Sequence, residues 1–187
     1  MANKPAGLYL HIPFCQSKCA YCDFYSYPAT ESAKNEYVSA LIVALKAFAG
    51  QARHTTFDSI YLGGGTPTLL ENPALQALLH TIFAYYKVAE AAEITLEANP
   101  GTVSDDRWKG LVSMGFNRLS LGMQSAKDSE LAALGRAHSF ADTVSAVKNA
   151  RDAGFTNIAL DLMLGIPGQT KVSLQESLEA LAALNPE

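Results

Sequence analysis

The 187-residue chain has few cysteines, little excess charge and no long run of apolar residues. Its 14 lysines and arginines stand against 18 acidic residues, a net charge of −4, which argues against nucleic-acid binding through a basic patch. The longest apolar stretch, around residues 40–45, ends at Lys46 and is too short to cross a bilayer. Residues 1–5 contain no apolar segment of the kind that a signal peptide needs, so we expect a cytoplasmic protein.

Apolar residues make up 49% of the chain, enough for a packed core, and they follow a repeating pattern. Short apolar segments of strand length alternate with longer segments of helical periodicity. The predicted strands are 8–12, 59–62, 93–97, 118–121 and 158–164, and the predicted helices are 31–48, 72–86, 105–114, 139–153 and 172–184. Ser104 is the expected N-cap of the third helix and Gly154 the expected C-cap of the fourth.

This alternation of strands and helices predicts an α/β fold with a parallel sheet built from five β/α units. Several strands are apolar at successive positions, which predicts that both faces of the sheet are buried. Five parallel strands do not close a barrel. We therefore expect residues 1–187 to be one incomplete domain, the N-terminal part of a longer barrel protein without its C-terminal domain.

All three cysteines lie within eight residues, directly after the first predicted strand. Cys15, Cys19 and Cys22 form a CxxxCxxC motif, and clustered thiols in odd number favour metal binding over a disulfide framework. Thiolates are soft ligands that suit zinc or iron–sulfur clusters. A structural zinc site would need a fourth ligand such as His11 or His138. A [4Fe–4S] cluster held by three cysteines would instead leave one iron open to a small molecule.

Polar residues at the ends of later strands are further candidates for a functional site. The sequence GGGTPT at 63–68 predicts a tight turn in which glycines allow close approach to a ligand. Glu97 ends the third strand and is either a loop cap or a ligand contact. Asp161 lies within the apolar fifth strand, where a carboxylate needs a partner, and Arg136 is the candidate for a structural ion pair.

Together these motifs resemble those of the radical S-adenosylmethionine (radical SAM) superfamily, more narrowly its oxygen-independent coproporphyrinogen III oxidase-like branch. The resemblance runs from Tyr9 to Thr170 and implies a partial (β/α)6 barrel, here truncated after about five units. It places the active site at the carboxyl ends of the strands. In the family, the open iron of the cluster binds SAM, and reductive cleavage of SAM yields methionine and a 5′-deoxyadenosyl radical.

The resemblance also implies a role for each candidate residue. The implied cluster ligands are Cys15, Cys19 and Cys22, and the implied SAM contacts are Tyr9, Tyr21, Gly64, Gly65, Thr66, Glu97, Gln124, Arg136 and Asp161. In the oxidase branch, the residues that match Gln124, Arg136 and Asp161 contact a second SAM molecule. Tyr9 could instead be a packed aromatic residue, and His11 on the same strand face is expected to be a hydrogen-bonded core histidine.

Two features separate this chain from the oxidases of that branch. Phe24 stands where the oxidases carry another cysteine, and only fourteen residues precede Cys15. Both features, and the string Leu-Gly-Arg-Ala-His at 134–138, resemble the HemW-type haem chaperones. That family is thought to bind haem and pass it to acceptor haemoproteins.

The resemblance therefore implies a haem chaperone with a [4Fe–4S] cluster, SAM and, in the full-length protein, haem. Its expected partners are SAM, haem or porphyrin, acceptor haemoproteins including membrane-associated ones, and a protein reductant, with no nucleic acid. Two alternatives stay open. One is an enzyme that oxidatively decarboxylates coproporphyrinogen III or another substrate. The other is a structural metal-binding protein without SAM chemistry.

Overall fold

The computed structural model describes residues 6–187, which form one five-stranded parallel sheet with connecting helices. The strands are β1 (Ala6–Ile12), β2 (Thr56–Gly64), β3 (Lys87–Ala98), β4 (Arg118–Gln124) and β5 (Ile158–Leu162). They lie side by side in chain order, and every neighbouring pair is parallel. The predicted α/β fold with five strand–helix units is confirmed. Residues 1–5, on which the expectation of no signal peptide rests, lie outside the described residues.

Six α-helices connect or follow the strands in the described part of the chain. They are α1 (Glu31–Phe48), α2 (Asn72–Tyr85), α3 (Trp108–Ser113), α4 (Asp128–Ala133), α5 (Phe140–Ala153) and α6 (Lys171–Ala183). Helix α5 ends at its expected C-cap, Gly154, with φ = 114°, and it begins one residue later than predicted because Ser139 is the N-cap and forms a capping box with Asp142. No helix within residues 6–187 combines the length and apolarity needed to cross a membrane.

Some element boundaries differ from the predicted ones for local reasons. Helix α3 begins at Trp108, and Ser104 is not its N-cap, because the Ser104 carbonyl accepts the Arg107 N–H in a preceding turn. Helix α4 was not predicted, since six residues are too few to show a helical period. Strand β5 ends at Leu162, two residues early, because the chain turns at Gly165 with φ = 77°.

The face of the sheet that packs against the helices is a continuous apolar layer. Leu10, Leu62, Leu96, Leu119 and Ile158 are paired in register across all five strands, and each is at most 2% exposed. They belong to one core cluster with apolar residues of the helices. Burial of each such side chain stabilises the fold by about 1.5–3 kcal/mol. This row fixes the register of the strands and hence the height at which each strand ends.

The opposite face of the sheet is polar, which contradicts the expectation that both faces are apolar. Tyr61, Glu97, Ser120 and Asp161 lie at alternating positions with the buried row, so they point away from the helices. The alternation is visible in the sequence of β2, β3 and β4, whereas the apolar segment at 158–164 suggests burial on both faces. The polar face surrounds a cavity, where side chains find hydrogen-bond partners.

Candidate functional site

A cavity of about 300 Å³ opens where the strands end. Eleven of the twelve predicted site residues line it: Cys15, Cys19, Tyr21, Cys22, Gly64, Gly65, Thr66, Glu97, Gln124, Arg136 and Asp161. Parallel strands bring these distant segments together because their carboxyl ends meet at one edge of the sheet. Tyr9 does not line the cavity. It is 56% exposed on β1, and its hydroxyl lies 3.0 Å from Nδ1 of His11.

The loop that carries the cysteines is held in place by backbone hydrogen bonds. The Cys15 N–H donates to the Tyr27 carbonyl at 3.2 Å, and the Tyr27 N–H donates to the Pro13 carbonyl at 2.9 Å. Further along, the Ala20 N–H donates to the Leu134 carbonyl at 3.2 Å, which ties the loop to the turn after α4. All three cysteines are free and half-buried. The loop is thus anchored at both its base and its middle, with its thiols available as ligands.

The histidines near the loop are engaged elsewhere. Both ring nitrogens of His11 have partners, the Tyr9 hydroxyl and the Tyr25 carbonyl at 2.8 Å, so His11 is the hydrogen-bonded histidine expected from the sequence. His138 is buried, with Nε2 3.4 Å from the Met123 carbonyl. Within residues 6–187, no three His, Cys, Asp or Glu side chains lie close enough to hold one metal ion.

The glycine turn after β2 lies directly against the backbone that leads to Cys15. The Gly65 N–H donates to the Ile12 carbonyl at 2.8 Å, and the Thr66 N–H donates to the Phe14 carbonyl at 2.7 Å. A Cβ atom on Gly65 would lie 2.5 Å from the Phe14 carbonyl oxygen. This close approach requires glycine and brings Thr66 beside the first cysteine.

Glu97 stabilises the glycine turn by accepting a hydrogen bond from its backbone. One of its carboxylate oxygens accepts the Tyr61 hydroxyl at 2.6 Å, and the other accepts the Gly64 N–H at 2.9 Å. Burial and the adjacent carboxylate raise the pKa of Tyr61 above its ordinary value, so the phenol stays protonated and keeps donating. Glu97 therefore fixes the shape of the turn and still faces the cavity.

Arg136 does not pair with Asp161, contrary to the structural alternative raised by the sequence. No ion pair joins them within the described residues, and Arg136 Nη1 instead donates to Asn99 Oδ1 at 2.6 Å. The guanidinium lies over the Tyr21 ring, 5.8 Å from its centroid. Burial raises the pKa of the Cys19 thiol, and the Arg136 charge opposes that shift. Arg136 is thus the cation that faces the cysteine loop.

Asn99 is a site residue that the sequence analysis missed. It follows β3 and lines the cavity, where Nδ2 donates to Thr66 Oγ1 at 2.8 Å. The available signal was a polar residue two positions after Glu97, at the start of an Asn-Pro-Gly turn. That signal indicates a turn equally well, so only the fold shows that this amide faces inward.

Gln124 lines the cavity and has a backbone conformation that is uncommon for a residue other than glycine. Gln124 is a non-glycine residue at φ = 65°, and it is only 8% exposed. Next to it, Ser125 donates to Glu130 at 2.6 Å, and Ser173 of α6 donates to the same carboxylate at 2.6 Å. Burial raises the pKa of Glu130, but hydrogen bonds from Ser125, Ser173 and Gln169 outweigh it and leave the pKa below its usual value. This ionised, buried carboxylate holds the end of β4 in place.

A comparison with models of known families matches residues 9–181 to the radical SAM superfamily. The chain belongs to the radical SAM superfamily. Its (β/α) fold is accordingly a partial radical SAM barrel, as the sequence motifs implied.

The relatives of this radical SAM chain include the heme chaperone HemW from Haemophilus influenzae, 40% identical over 97% of this chain and 49% of that protein. HemW from Escherichia coli is 41% identical over 97% of this chain and 48% of its own length. Among solved structures, E. coli coproporphyrinogen III oxidase HemN, a radical SAM enzyme, superposes with a TM-score of 0.90 at 30% identity. That match covers 98% of this chain and 43% of HemN. The chain spans about half the length of the curated relatives it matches.

The residues that line the cavity suit an iron–sulfur cluster and SAM, the two groups that membership of the radical SAM superfamily implies. Three free thiols supply the soft donors that iron–sulfur clusters need. Gly122 lets the Arg136 and Asn99 side chains lie close to the backbone of β4, because a Cβ atom there would lie 2.9 Å from both Arg136 Nη2 and Asn99 Oδ1. Arg136 Nε is buried without a hydrogen-bond partner. An unsatisfied buried donor on a residue that lines the cavity is a group whose hydrogen bond a polar ligand would complete.

Asp161 is expected to cost the radical SAM domain stability at neutral pH. Asp161 keeps contact with solvent, yet the surrounding protein removes enough hydration to raise its pKa above 3.8, and the Glu97 carboxylate raises it further. The native state then binds the proton more tightly than the unfolded chain. Stability therefore falls as pH rises through 3.8 to the folded-state pKa.

Replacing Asp161 with asparagine should raise the free energy of unfolding at pH 7 by less than about 1 kcal/mol, since solvent screens the charge. The gain should disappear as the pH approaches 3.8. Urea unfolding at several pH values measures it, and Asp58→Asn, at an exposed site on β2, is the matched loss of one charge. Destabilisation by Asp161→Asn at pH 7 would show that the carboxylate has a native partner and would contradict the prediction.

Proposed function

We propose that this chain is the radical SAM core of a haem chaperone of the HemW kind, which binds a [4Fe–4S] cluster and SAM and transfers haem to acceptor haemoproteins. The observation that carries the proposal is the meeting of three free thiols, the glycine turn and a polar wall at one cavity. Relatives named as heme chaperones, matching 97% of the chain, support this choice of branch.

Cys15, Cys19 and Cys22 would hold the cluster. In a cuboidal cluster each thiolate binds a different iron, so three thiols need not converge on one point. The ring nitrogens of His11, a candidate fourth zinc ligand, are both engaged, which favours a cluster over structural zinc. A bound cluster would supply the electron that cleaves SAM, and the protein would supply its orientation and shielding.

The other walls of the cavity would bind SAM through groups that the fold has already oriented. Gly64, Gly65 and Thr66 would present the edge of a tight turn to the ligand, while Glu97 would hold that turn and offer its negative charge to an ammonium group. Tyr21 would present a ring face to the adenine from within the cysteine loop. Because Tyr9 lies outside the cavity, its contribution would be to orient His11.

Gln124, Arg136 and Asp161 would form the far wall of the ligand site. Arg136 would offer its unpartnered Nε to an anionic or carbonyl oxygen, since that donor is buried and unsatisfied. Gln124 and Asp161 would add an amide and a carboxylate, which suit hydroxyl and amino groups. The same wall would serve one SAM molecule or the second of two.

Haem and protein partners belong to the proposal for the whole protein. Haem or a porphyrin would be the cargo, acceptor haemoproteins including membrane-associated ones the destination, and a protein reductant the electron source. The haem-binding part would lie largely outside these 187 residues, which span about half of the HemW relatives. This chain would then provide the cluster and SAM that accompany haem transfer in the cytoplasm.

A second candidate function is the oxidative decarboxylation of coproporphyrinogen III. It is favoured by the TM-score of 0.90 to HemN, which is a coproporphyrinogen III oxidase. Phe24 counts against it, because the oxidases are expected to carry a cysteine at this position. The two functions share the cavity and differ in whether the porphyrin is consumed.

The deciding experiment uses the protein expressed from its complete gene and reconstituted with iron and sulfide without oxygen. We expect a reduced-cluster EPR signal that changes when SAM is added, stoichiometric haem binding in an absorbance titration, and no turnover of coproporphyrinogen III. Turnover without haem binding would favour the oxidase instead. Zinc content without sulfide would overturn both radical SAM functions.

A further inference from the structure

A line of hydrogen bonds joins the guanidinium of Arg136 to the sulfur of Cys15. Arg136 Nη1 donates to Asn99 Oδ1 at 2.6 Å, and Asn99 Nδ2 donates to Thr66 Oγ1 at 2.8 Å. Thr66 Oγ1 in turn donates to Cys15 Sγ at 3.7 Å. The line crosses from the loop after α4, through the end of β3 and the glycine turn, to the cysteine loop.

The direction of every bond in this line is determined by the chemistry of its first member. A guanidinium has only donors, so the Asn99 amide must turn its oxygen to Arg136 and its NH2 group to Thr66. The Thr66 oxygen then accepts from Asn99, which leaves the hydroxyl proton for the sulfur. Thr66 is 2% exposed, so bulk water does not compete for that proton.

We propose that Asn99 is a positioning residue that directs the Thr66 hydroxyl proton onto the Cys15 sulfur and so raises the reduction potential of the cluster. The inference rests on the proposed ligation of a cluster by Cys15. A hydrogen bond to a ligating sulfur stabilises the added negative charge of the reduced cluster. The positive charge of Arg136 at the far end strengthens the polarisation of the line.

The line of hydrogen bonds also connects the cysteine loop with the cavity wall that contains Arg136. A ligand that draws Arg136 away from Asn99 Oδ1 releases the amide, and the Thr66 proton is then no longer held toward Cys15. Occupation of the Arg136 wall thereby changes the cluster potential through this line of hydrogen bonds. Asn99 makes this link with its side chain alone, since its backbone carbonyl is bonded separately to the Thr102 hydroxyl at 2.6 Å.

Asn99→Asp tests the direction of the line with an almost unchanged shape. A carboxylate cannot donate, so the Thr66 hydroxyl would turn its proton to Asp and away from Cys15. In the reconstituted protein from the complete gene, we expect the ratio of reduced to oxidised cluster at fixed potential to fall about tenfold, equal to 59 mV for one electron. EPR-monitored redox titration measures this ratio without any turnover.

Variants at Thr66 separate the hydrogen bond from the added charge. Thr66→Val removes the hydroxyl without adding charge and should lower the potential, whereas Thr66→Ser keeps the hydroxyl and should restore it. In the Thr66→Val background, Asn99→Asp should lower the potential by less than it does in the wild type. Ser26→Ala is the matched control, because Ser26 lines the same cavity with a buried hydroxyl that has no partner.

The outcomes distinguish this inference from the proposed function. A wild-type potential in Thr66→Val, or an equal effect of Asn99→Asp in both backgrounds, would overturn the positioning role while the cluster itself remained. A wild-type protein that retains no iron and sulfide would overturn the proposed function, and the inference with it. If Thr66→Val does not fold, the other two variants decide the question. A lowered cluster potential in Asn99→Asp together with a wild-type potential in Thr66→Ser would support the positioning role of Asn99. An unchanged cluster potential in Asn99→Asp would refute it.

Discussion

Serine in place of Cys19 is expected to leave the protein with less than about a tenth of the wild-type cluster, because a serine hydroxyl is a hard, un-ionised donor at neutral pH. The chain has no fourth cysteine to replace it, and both ring nitrogens of His11 have other partners. Iron and acid-labile sulfide per chain, measured after reconstitution without oxygen, give the result directly.

Ser17→Ala is the control for Cys19→Ser, because it changes an exposed side chain in the same loop and leaves all three thiols. It should retain the full iron and sulfide content. Circular dichroism of both variants establishes that the fold persists, which a loop anchored by backbone bonds from Cys15 and Ala20 should allow. A brown, sulfide-containing Cys19→Ser protein would show that the ligand assignment is wrong.

Alanine in place of Gly65 is expected to reduce the free energy of unfolding by about 2–4 kcal/mol. Its Cβ would lie 2.5 Å and 2.8 Å from the Phe14 carbonyl oxygen and amide nitrogen, and 2.9 Å from the Ile12 carbonyl oxygen. All three are backbone atoms, so the turn itself must move. Overpacking costs about 1–3 kcal/mol, and each of the two backbone bonds from Gly65 and Thr66 contributes about 0.5–1.5 kcal/mol.

The matched control is Gly50→Ala, because a Cβ atom on Gly50 would meet nothing within 4 Å. Gly50 lies in the short 3₁₀ turn Ala49–Ala52 after α1, where alanine should be neutral or slightly stabilising. Urea unfolding of the apo-protein compares the two without any cofactor. Equal stability of the two variants would mean that the turn can move away from Phe14 at little cost.

The fold could be predicted because its strongest determinants are local. The apolar segments that contain Leu62 and Leu96 have the length and composition of strands, and the C-cap at Gly154 acts through neighbouring backbone groups. The polarity of the sheet face opposite the helices was not predicted, since residues such as Tyr61 occur on either face of a strand. Which face is buried depends on where the helices pack, and strand periodicity alone does not determine that.

That eleven of the twelve candidate residues line one cavity could be expected, because their motifs occur at strand ends that a parallel sheet brings together; Tyr9 does not line it, and Asn99 was missed. Their partners could not be predicted, because a partner depends on three-dimensional reach. Arg136 has a carboxylate available in Asp161 but bonds to Asn99, and Glu97 uses both oxygens on Tyr61 and Gly64. Such contacts join loops that are more than thirty residues apart in the chain.

The order of the strands has a consequence for the synthesis of the protein. The cysteine loop follows β1, and Asp161, on β5, follows Cys22 by 139 residues. A ribosome adding about 5–20 residues per second needs roughly 7–28 s to cover that distance. For this interval the nascent thiols stand without the walls that later enclose them. We therefore expect free cysteines to be lost mainly during translation, when oxidants and metal ions reach the thiols most easily.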